Sequence, residues 1–153
     1  MSGETELLEV LDAHRNSAAK YDCIVTISGG RDSTYTLWKL AVDYGMRVLA
    51  VNYQNPFATP EGQNNIANAV ASLDVDLVQF SLPRRLHQRS LRHYLSCWLK
   101  RPSAAMVPMI CAACKLMWVE IPRIARKHGI SLIVSGGNPL ESVSYTHLTL
   151  PTN

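Results

Sequence analysis

Cys23-Ile24-Val25-Thr26-Ile27-Ser28-Gly29-Gly30-Arg31-Asp32-Ser33 decides how this chain reads. Its apolar half, residues 23–27, has the composition of a buried strand, and the chain reopens as a helix at Asp32-Ser33-Thr34. A strand, two glycines and a helix start, in that order, bring several backbone N–H groups and a positive helix end to one spot. That arrangement favours an anion by geometry and by dipole. Gly29 and Gly30 permit positive φ and close backbone approach. Ser28 and Ser33 offer hydroxyls, Arg31 a cation, and Asp32 a carboxylate suited to a magnesium ion that keeps most of its water. The plainer alternative is a strand-to-helix turn whose Asp and Ser merely cap the helix.

Outward from this loop, the pattern alternates. A lead-in helix is expected over residues 4–19, with Leu7, Leu8, Val10 and Leu11 at helical spacing. After the first strand (22–27) comes a helix over 32–44, with Tyr35, Leu37, Trp38 and Ala41 as its inner face and Gly45 as its C-cap. A second strand (47–53) is apolar enough for the centre of a parallel sheet. A helix over 60–73, a strand over 77–80, helices over 84–99 and 114–128 with a kink at Pro122, and a strand over 131–135 follow. Strands alternating with helices at this pitch predict right-handed βαβ units in a doubly wound, mostly parallel, Rossmann-like α/β sheet with helices on both faces. Ligands bind such sheets at the carboxyl ends of the strands, which draws attention to residues 28–33, 52–56 and 135–138.

Composition agrees with one globular domain: 153 residues, 47% hydrophobic and 18% charged, suffice for an ordinary core. No apolar run reaches the roughly 18 residues of a membrane span, and the first residues lack a signal-peptide pattern. A soluble, cytoplasmic protein is expected. The net charge of +3 hides an asymmetry, because residues 77–119 hold no Asp or Glu yet contain Arg84, Arg85, Arg89, Arg92, Lys100, Arg101 and Lys115. This stretch is either a polyanion surface or a solvated helix face balanced from elsewhere in the fold.

The spelling of the loop excludes a Walker A motif and a dinucleotide fingerprint, which need other spacings. Ser-Gly-Gly-x-Asp-Ser resembles the PP-loop of the N-type ATP pyrophosphatases, a superfamily that cleaves ATP between the α and β phosphates and transfers AMP to a substrate oxygen. Three later features, Ala58-Thr59-Pro60-Glu61-Gly62, Cys111-Ala112-Ala113-Cys114 and Gly136-Gly137-Asn138-Pro139-Leu140-Glu141, resemble the N-acetyl sugar amidotransferases of surface-polysaccharide biosynthesis, as does Tyr21-Asp22-Cys23. The resemblance spans residues 5–141, with Arg31 where lysine is commoner and Gly137 where an acid is expected. It implies ATP and Mg2+ as cofactors, a sugar or nucleotide-sugar acceptor, and a glutaminase subunit supplying ammonia. It also implies that Ser28, Gly29, Gly30, Asp32 and Ser33 hold pyrophosphate and magnesium, with Arg31, Asp32 and Ser33 as the catalytic set. The backbone at Val51, Asn52 and Tyr53 is expected to meet the nucleotide, the side chains of Val51 and Tyr53 packing in the core. Gly137 and Asn138 are expected on the nucleotide or acceptor side.

Cys111 and Cys114 have the spacing of half a zinc or iron–sulfur site, with Cys97 as a third ligand and Cys23 as core packing. The alternative is two small buried residues. Such a pair, with the basic stretch, also resembles tRNA-thiolating PP-loop enzymes, whose partner is tRNA. A nucleotide-binding fragment without chemistry is the third reading. Residues 142–153 depart from the preceding pattern and resemble translated adapter sequence. The expected organisation is a lead-in helix over 1–20, an ATP-binding domain over 21–141 incomplete at its C-terminal side, and a non-native tail over 142–153.

Overall fold

The computed structural model describes residues 3–15, 18–104 and 115–137. Four parallel strands, β1 (Cys23–Thr26), β2 (Val48–Tyr53), β3 (Asp76–Phe80) and β4 (Leu132–Ser135), form one sheet in the order β3-β2-β1-β4. Cys23 stands between Val48 and Leu132, and Thr26 between Val51 and Ser135. Chain order runs outward from β1 to β3 and then returns to the far side at β4. The carboxyl ends of β1 and β4 therefore flank a topological switch point, and the 28–33 loop leaves β1 there.

Among the described residues five α-helices accompany this sheet: α1 (Gly3–His14), α2 (Arg31–Trp38), α3 (Pro60–Ser72), α4 (Leu86–Lys100) and α5 (Met117–Lys127). On one face Leu11 of α1, Leu37 of α2 and Ile66 of α3 meet Cys23, Val25, Val48 and Ala50. On the other, Ile121 and Ala125 of α5 meet Ile24, Leu49 and Val51. The sheet is thus doubly wound, as its continuous apolar strands predict. Each fully buried Leu or Ile contributes roughly 1.5–3 kcal/mol. Among the described residues, no helix is long and apolar enough to cross a membrane.

Two local expectations are corrected. The first helix ends at His14, and Arg15 instead donates to the carbonyls of Tyr44 (2.5 Å) and Gly45 (3.2 Å), fastening α1 to the end of the next helix. Tyr35 and Trp38 are exposed, 58% and 40%, and their rings stack on each other at 5.8 Å. Leu37 and Leu40 take the inner face, because a 3.6-residue period that buries position 37 turns 35 and 38 to the rim. Beyond Trp38 the helix widens into a π-turn over Lys39–Asp43, closed by Tyr44 N–H donating to the Lys39 carbonyl (3.1 Å) and ended by Gly45 at φ 58°. The last helix, α5, holds Pro122 inside its span, within the expected 114–128 run.

One ion pair locks the amino ends of the central strands. Buried Asp22 accepts from the Arg47 backbone N–H (2.9 Å), Nε (3.1 Å) and Nη2 (2.5 Å), which holds the guanidinium pKa above its ordinary value. Cys23 is wholly buried, and desolvation pushes its thiol up to about 12, which fits inert packing. At the other end, Thr59 caps α3 by accepting from Gly62 N–H (3.2 Å), with Pro60 in the first turn. A Thr59→Ala variant is expected to lose about 1 kcal/mol of stability. A urea midpoint equal to that of the parent chain would refute this role for the hydroxyl.

Candidate nucleotide site

A cavity of about 490 Å3 opens at the carboxyl ends of β1, β2 and β4, between the 28–33 loop and the start of α3. Ser28, Gly29, Gly30 and Ser33 line it on the loop side, Val51, Asn52 and Tyr53 on the β2 side, and Ser135 and Gly136 beyond β4. Thr59, Gly62 and Gln63 close it from α3, and Met117 and Ile121 supply apolar wall from α5.

The loop is held from within by one hydroxyl. Ser33, 8% exposed, donates from Oγ to the Gly30 carbonyl (3.1 Å), accepts from the Ser28 backbone N–H (3.2 Å) and lies 3.1 Å from Ser28 Oγ. Thr34 also donates to the Gly30 carbonyl, through N–H (3.1 Å) and Oγ1 (2.9 Å). Gly29 turns the chain at φ 82°, and a Cβ placed there would lie 2.2 Å from the Gly62 carbonyl oxygen. Asn65 Nδ2 donates to the Gly29 carbonyl (3.2 Å), so α3 braces the loop from outside. Gly136 is equally committed, since its Cβ would fall 2.6 Å from Thr36 Oγ1 and 3.0 Å from the Asp32 carbonyl oxygen.

Asn52 is buried and spends its amide inside the protein. Its Nδ2 donates to the Ile27 carbonyl (2.8 Å), and its Oδ1 accepts from Gln79 Nε2 (3.1 Å). This chain of amides ties the ends of β3 and β2 to the root of the loop. Val51 is 1% exposed and packs in the core, as expected for its side chain. Tyr53 stacks on buried His87, and its hydroxyl lies 2.7 Å from His87 Nδ1.

Other expected site residues lie around the rim. The Arg31 side chain is 92% exposed and pairs with Asp32 Oδ1 at 3.1 Å. Arg31 borders a separate groove toward Asn65 and Asn68. The Asp32 side chain, 44% exposed, stands at the first turn of α2. Gly137 lies one residue past the cavity wall with open space at its Cβ position. Asn138, Cys111 and Cys114 fall outside the described residues. Cys97 Sγ lies 3.7 Å from His93 Nε2, one turn away on α4, and among the described residues no three His, Cys, Asp or Glu side chains gather as a metal site.

Sequence reasoning assigned no site role to Thr59, Gly62, Gln63 or Asn65, and placed Gly136 only within the 135–138 ligand loop. The Thr59-Pro60-x-Gly62 spelling signalled a helix cap, but only the fold shows that this cap abuts the loop.

Burial lowers the His87 pKa below the ordinary imidazole value. An unfolded histidine takes up its proton near pH 6.5, whereas the folded one resists it. Stability from this site is therefore complete above about pH 6.5 and is lost as pH falls below that value. Urea midpoints are expected to drop between pH 7 and pH 5.5, and to drop less in His87→Gln. Equal slopes for the two chains would refute the assignment.

No protein-family model matches the chain. By sequence it is similar to an uncharacterized protein of Methanocaldococcus jannaschii, 26% identical over 132 residues, covering 86% of the chain and 43% of that relative. The chain thus spans less than half the length of the curated relative it matches. Among solved structures it is similar to NMN synthetase from Francisella tularensis, with TM-score 0.58, 18% identity, and 88% of this chain and 52% of that one covered. It is also similar to the glutamine-dependent NAD+ synthetase from Acinetobacter baumannii in complex with adenosine diphosphate, with TM-score 0.58, 22% identity and coverage of 80% and 23%. A third is the NH3-dependent NAD synthetase from Campylobacter jejuni, with TM-score 0.55, 16% identity and coverage of 88% and 55%. What is shared at this level is the fold, a parallel Rossmann-like α/β sheet.

Proposed function

We propose that this chain, folded as the PP-loop synthetases are, is the ATP-binding part of an enzyme that adenylates an acceptor oxygen and then transfers nitrogen. The acceptor on this reading is the N-acetyl group of a sugar. The observation that carries the proposal is the braced 28–33 loop at the floor of the 490 Å3 cavity, with Gly29 seated so close under the Gly62 carbonyl that a Cβ has no room there. A tight glycine loop fixed by Ser33 at a helix start suits a pyrophosphate group, whose leaving charge it meets with preorganised donors.

In the first step the acceptor's amide oxygen attacks the α-phosphorus of ATP, and the bond from that phosphorus to the bridging oxygen breaks, so pyrophosphate departs with the electron pair. In the second, ammonia adds to the activated carbon, AMP leaves with the carbon–oxygen electron pair, and one ammonia proton passes to solvent. A glutaminase subunit supplies the ammonia. Ser28, Ser33 and the backbone at Gly29 and Gly30 bind pyrophosphate, and Arg31 offsets charge from the rim. The cradle and the exposed Asp32 carboxylate fit a magnesium ion bound with the nucleotide, and magnesium would neutralise triphosphate charge there. The β2 backbone at Val51 and Asn52, with the apolar wall at Met117 and Ile121, accommodates adenine. Gly137 adjoins the acceptor.

Exchange of labelled pyrophosphate into ATP in the presence of an N-acetyl sugar tests the reading. Acceptor-dependent exchange is expected. An ATP-binding chain that shows no exchange with any sugar acceptor would reject it in favour of a nucleotide-binding module.

One observation favours a second reading, modification of tRNA with a zinc or iron–sulfur centre: Cys97 and His93 meet on α4, within the acid-free basic stretch. That reading requires Cys111 and Cys114 as further ligands. Stoichiometric iron and sulfide in anaerobically prepared protein would support it over the sugar.

A further inference from the structure

A second cavity, of about 310 Å3, adjoins the nucleotide cavity and shares Tyr53 and Asn55 with it. It lies past the ends of β2 and β3 and is lined by Gln54, Ser81, Arg85, His87 and Gln88 besides the shared residues. Its lining contains no carboxylate, and Arg85 supplies its cation. Arg85 enters none of the ion pairs among the described residues.

Polar groups converge on the same space. Ser81 Oγ donates to Gln54 Oε1 (2.9 Å), an arrangement that leaves the Gln54 amide hydrogens to donate elsewhere. His87, kept neutral by burial, forms the inner wall between Tyr53 and Phe57, its ring edge-on to Phe57 at 5.3 Å. Arg85 and its neighbour Arg84 both sit in the left-handed region, at φ 53° and 52°, where a non-glycine side chain is strained. The fold accepts that strain at the residue that brings a guanidinium to the cavity mouth. A cation and amide donors around a small space without acids suit a phosphate group.

We propose that this second cavity binds the phosphate or diphosphate group of the acceptor, and so places the acceptor's reacting amide beside the nucleotide cavity. This rests on the sugar-adenylating reading and narrows its substrate class to phosphorylated sugars. The shared Tyr53–Asn55 wall sets the two ligands side by side, and the guanidinium selects charged acceptors over neutral ones.

Calorimetric titration of the whole 153-residue chain, with and without magnesium and α,β-methylene-ATP, tests this. The probes are N-acetylglucosamine 1-phosphate, UDP-N-acetylglucosamine and neutral N-acetylglucosamine. Both phosphorylated probes are expected to bind the analogue-loaded chain at least tenfold more tightly than the neutral sugar, and whichever binds more tightly tells monophosphate from diphosphate. Arg85→Gly, which glycine's tolerance of positive φ allows to fold, is expected to weaken them roughly tenfold or more and leave the analogue's affinity unchanged. Arg92→Ala, on the next turns of α4, is expected to change neither. Equal binding of charged and neutral sugars, or no effect of Arg85→Gly, would overturn the proposal. So would a single-stranded RNA oligomer that binds more tightly than the sugars and is weakened equally by both variants, which points to RNA instead. Failure of the parent chain to bind the analogue strikes the nucleotide reading, while the titrations without analogue still decide the phosphate site.

Discussion

Replacing Gly29 by alanine is expected to cost this chain about 3 kcal/mol and to remove pyrophosphate exchange almost completely. Two penalties coincide at this position. The φ of 82° is unfavourable for any residue with a Cβ, by roughly 1–2 kcal/mol. The new methyl would also lie 2.2 Å from the Gly62 carbonyl oxygen, a backbone atom in the first turn of α3 that has no rotamer to change. Overpacking of this kind costs roughly 1–3 kcal/mol. Relief requires α3 to retreat or the loop to flip, and either displaces the donors that meet the leaving group. Exchange is expected to fall by roughly 10²–10³-fold. Gly30→Ala provides the contrast, since its backbone is extended (φ −81°) and its Cβ would meet only Ser28 Oγ at 3.5 Å. Gly30→Ala is expected to stay near parental stability, by thermal melting. If both alanine variants behave alike, the close approach to Gly62 is not what fixes the loop.

Gly136→Ala is expected to act through the first turns of α2. Its methyl would press on Thr36 Oγ1 at 2.6 Å and on the Asp32 carbonyl oxygen at 3.0 Å. Thr36 Oγ1 donates to that same carbonyl (2.9 Å), so turning the side chain away breaks a bond while relieving a clash. A cost of about 1–3 kcal/mol is expected, with roughly a tenfold loss of nucleotide affinity as Asp32 and Ser33 shift. Thr36→Ala alone is expected to be mild, because alanine favours a helix. In Gly136→Ala/Thr36→Ala the main obstacle is gone, so the double variant is expected to be more stable than the sum of the single changes by about 1 kcal/mol. Strict additivity in urea unfolding would show that β4 does not bear on α2 through this contact.

Much of this was legible from residues 23–33 alone. A continuous apolar strand, two glycines and a helix start dictate a parallel βα unit, and repetition of the pattern through 48–53 and 132–135 dictates the sheet. The strand order was not legible, because which side β4 joins depends on packing of α5 against Ile24 and Leu49. Tyr35 and Trp38 misled for a related reason: aromatic character suggests burial, but the phase of a helix is set by the residues that fit the sheet, here Leu37 and Leu40. Within the site, Ser28, Gly29, Gly30 and Ser33 announced themselves by type. Asn52 was expected to meet the nucleotide through its backbone; it lines the cavity, and its side-chain amide bonds Ile27 and Gln79. Sequence shows that an amide is present at the strand end, whereas the partner it chooses is decided by neighbours distant in the chain.

The contact between Gly29 and Gly62 is asymmetric in what it demands of each position. At position 29 it requires the absence of a side chain, but at position 62 it uses only a carbonyl that every amino acid carries, and a Cβ at 62 would meet nothing nearer than Thr59 Oγ1 at 3.6 Å. Evolutionary drift is therefore unconstrained on one side of the joint and forbidden on the other. Paired substitutions cannot record the coupling, so across descendants of this chain residue 29 would stand as an invariant glycine whose partner leaves no statistical trace.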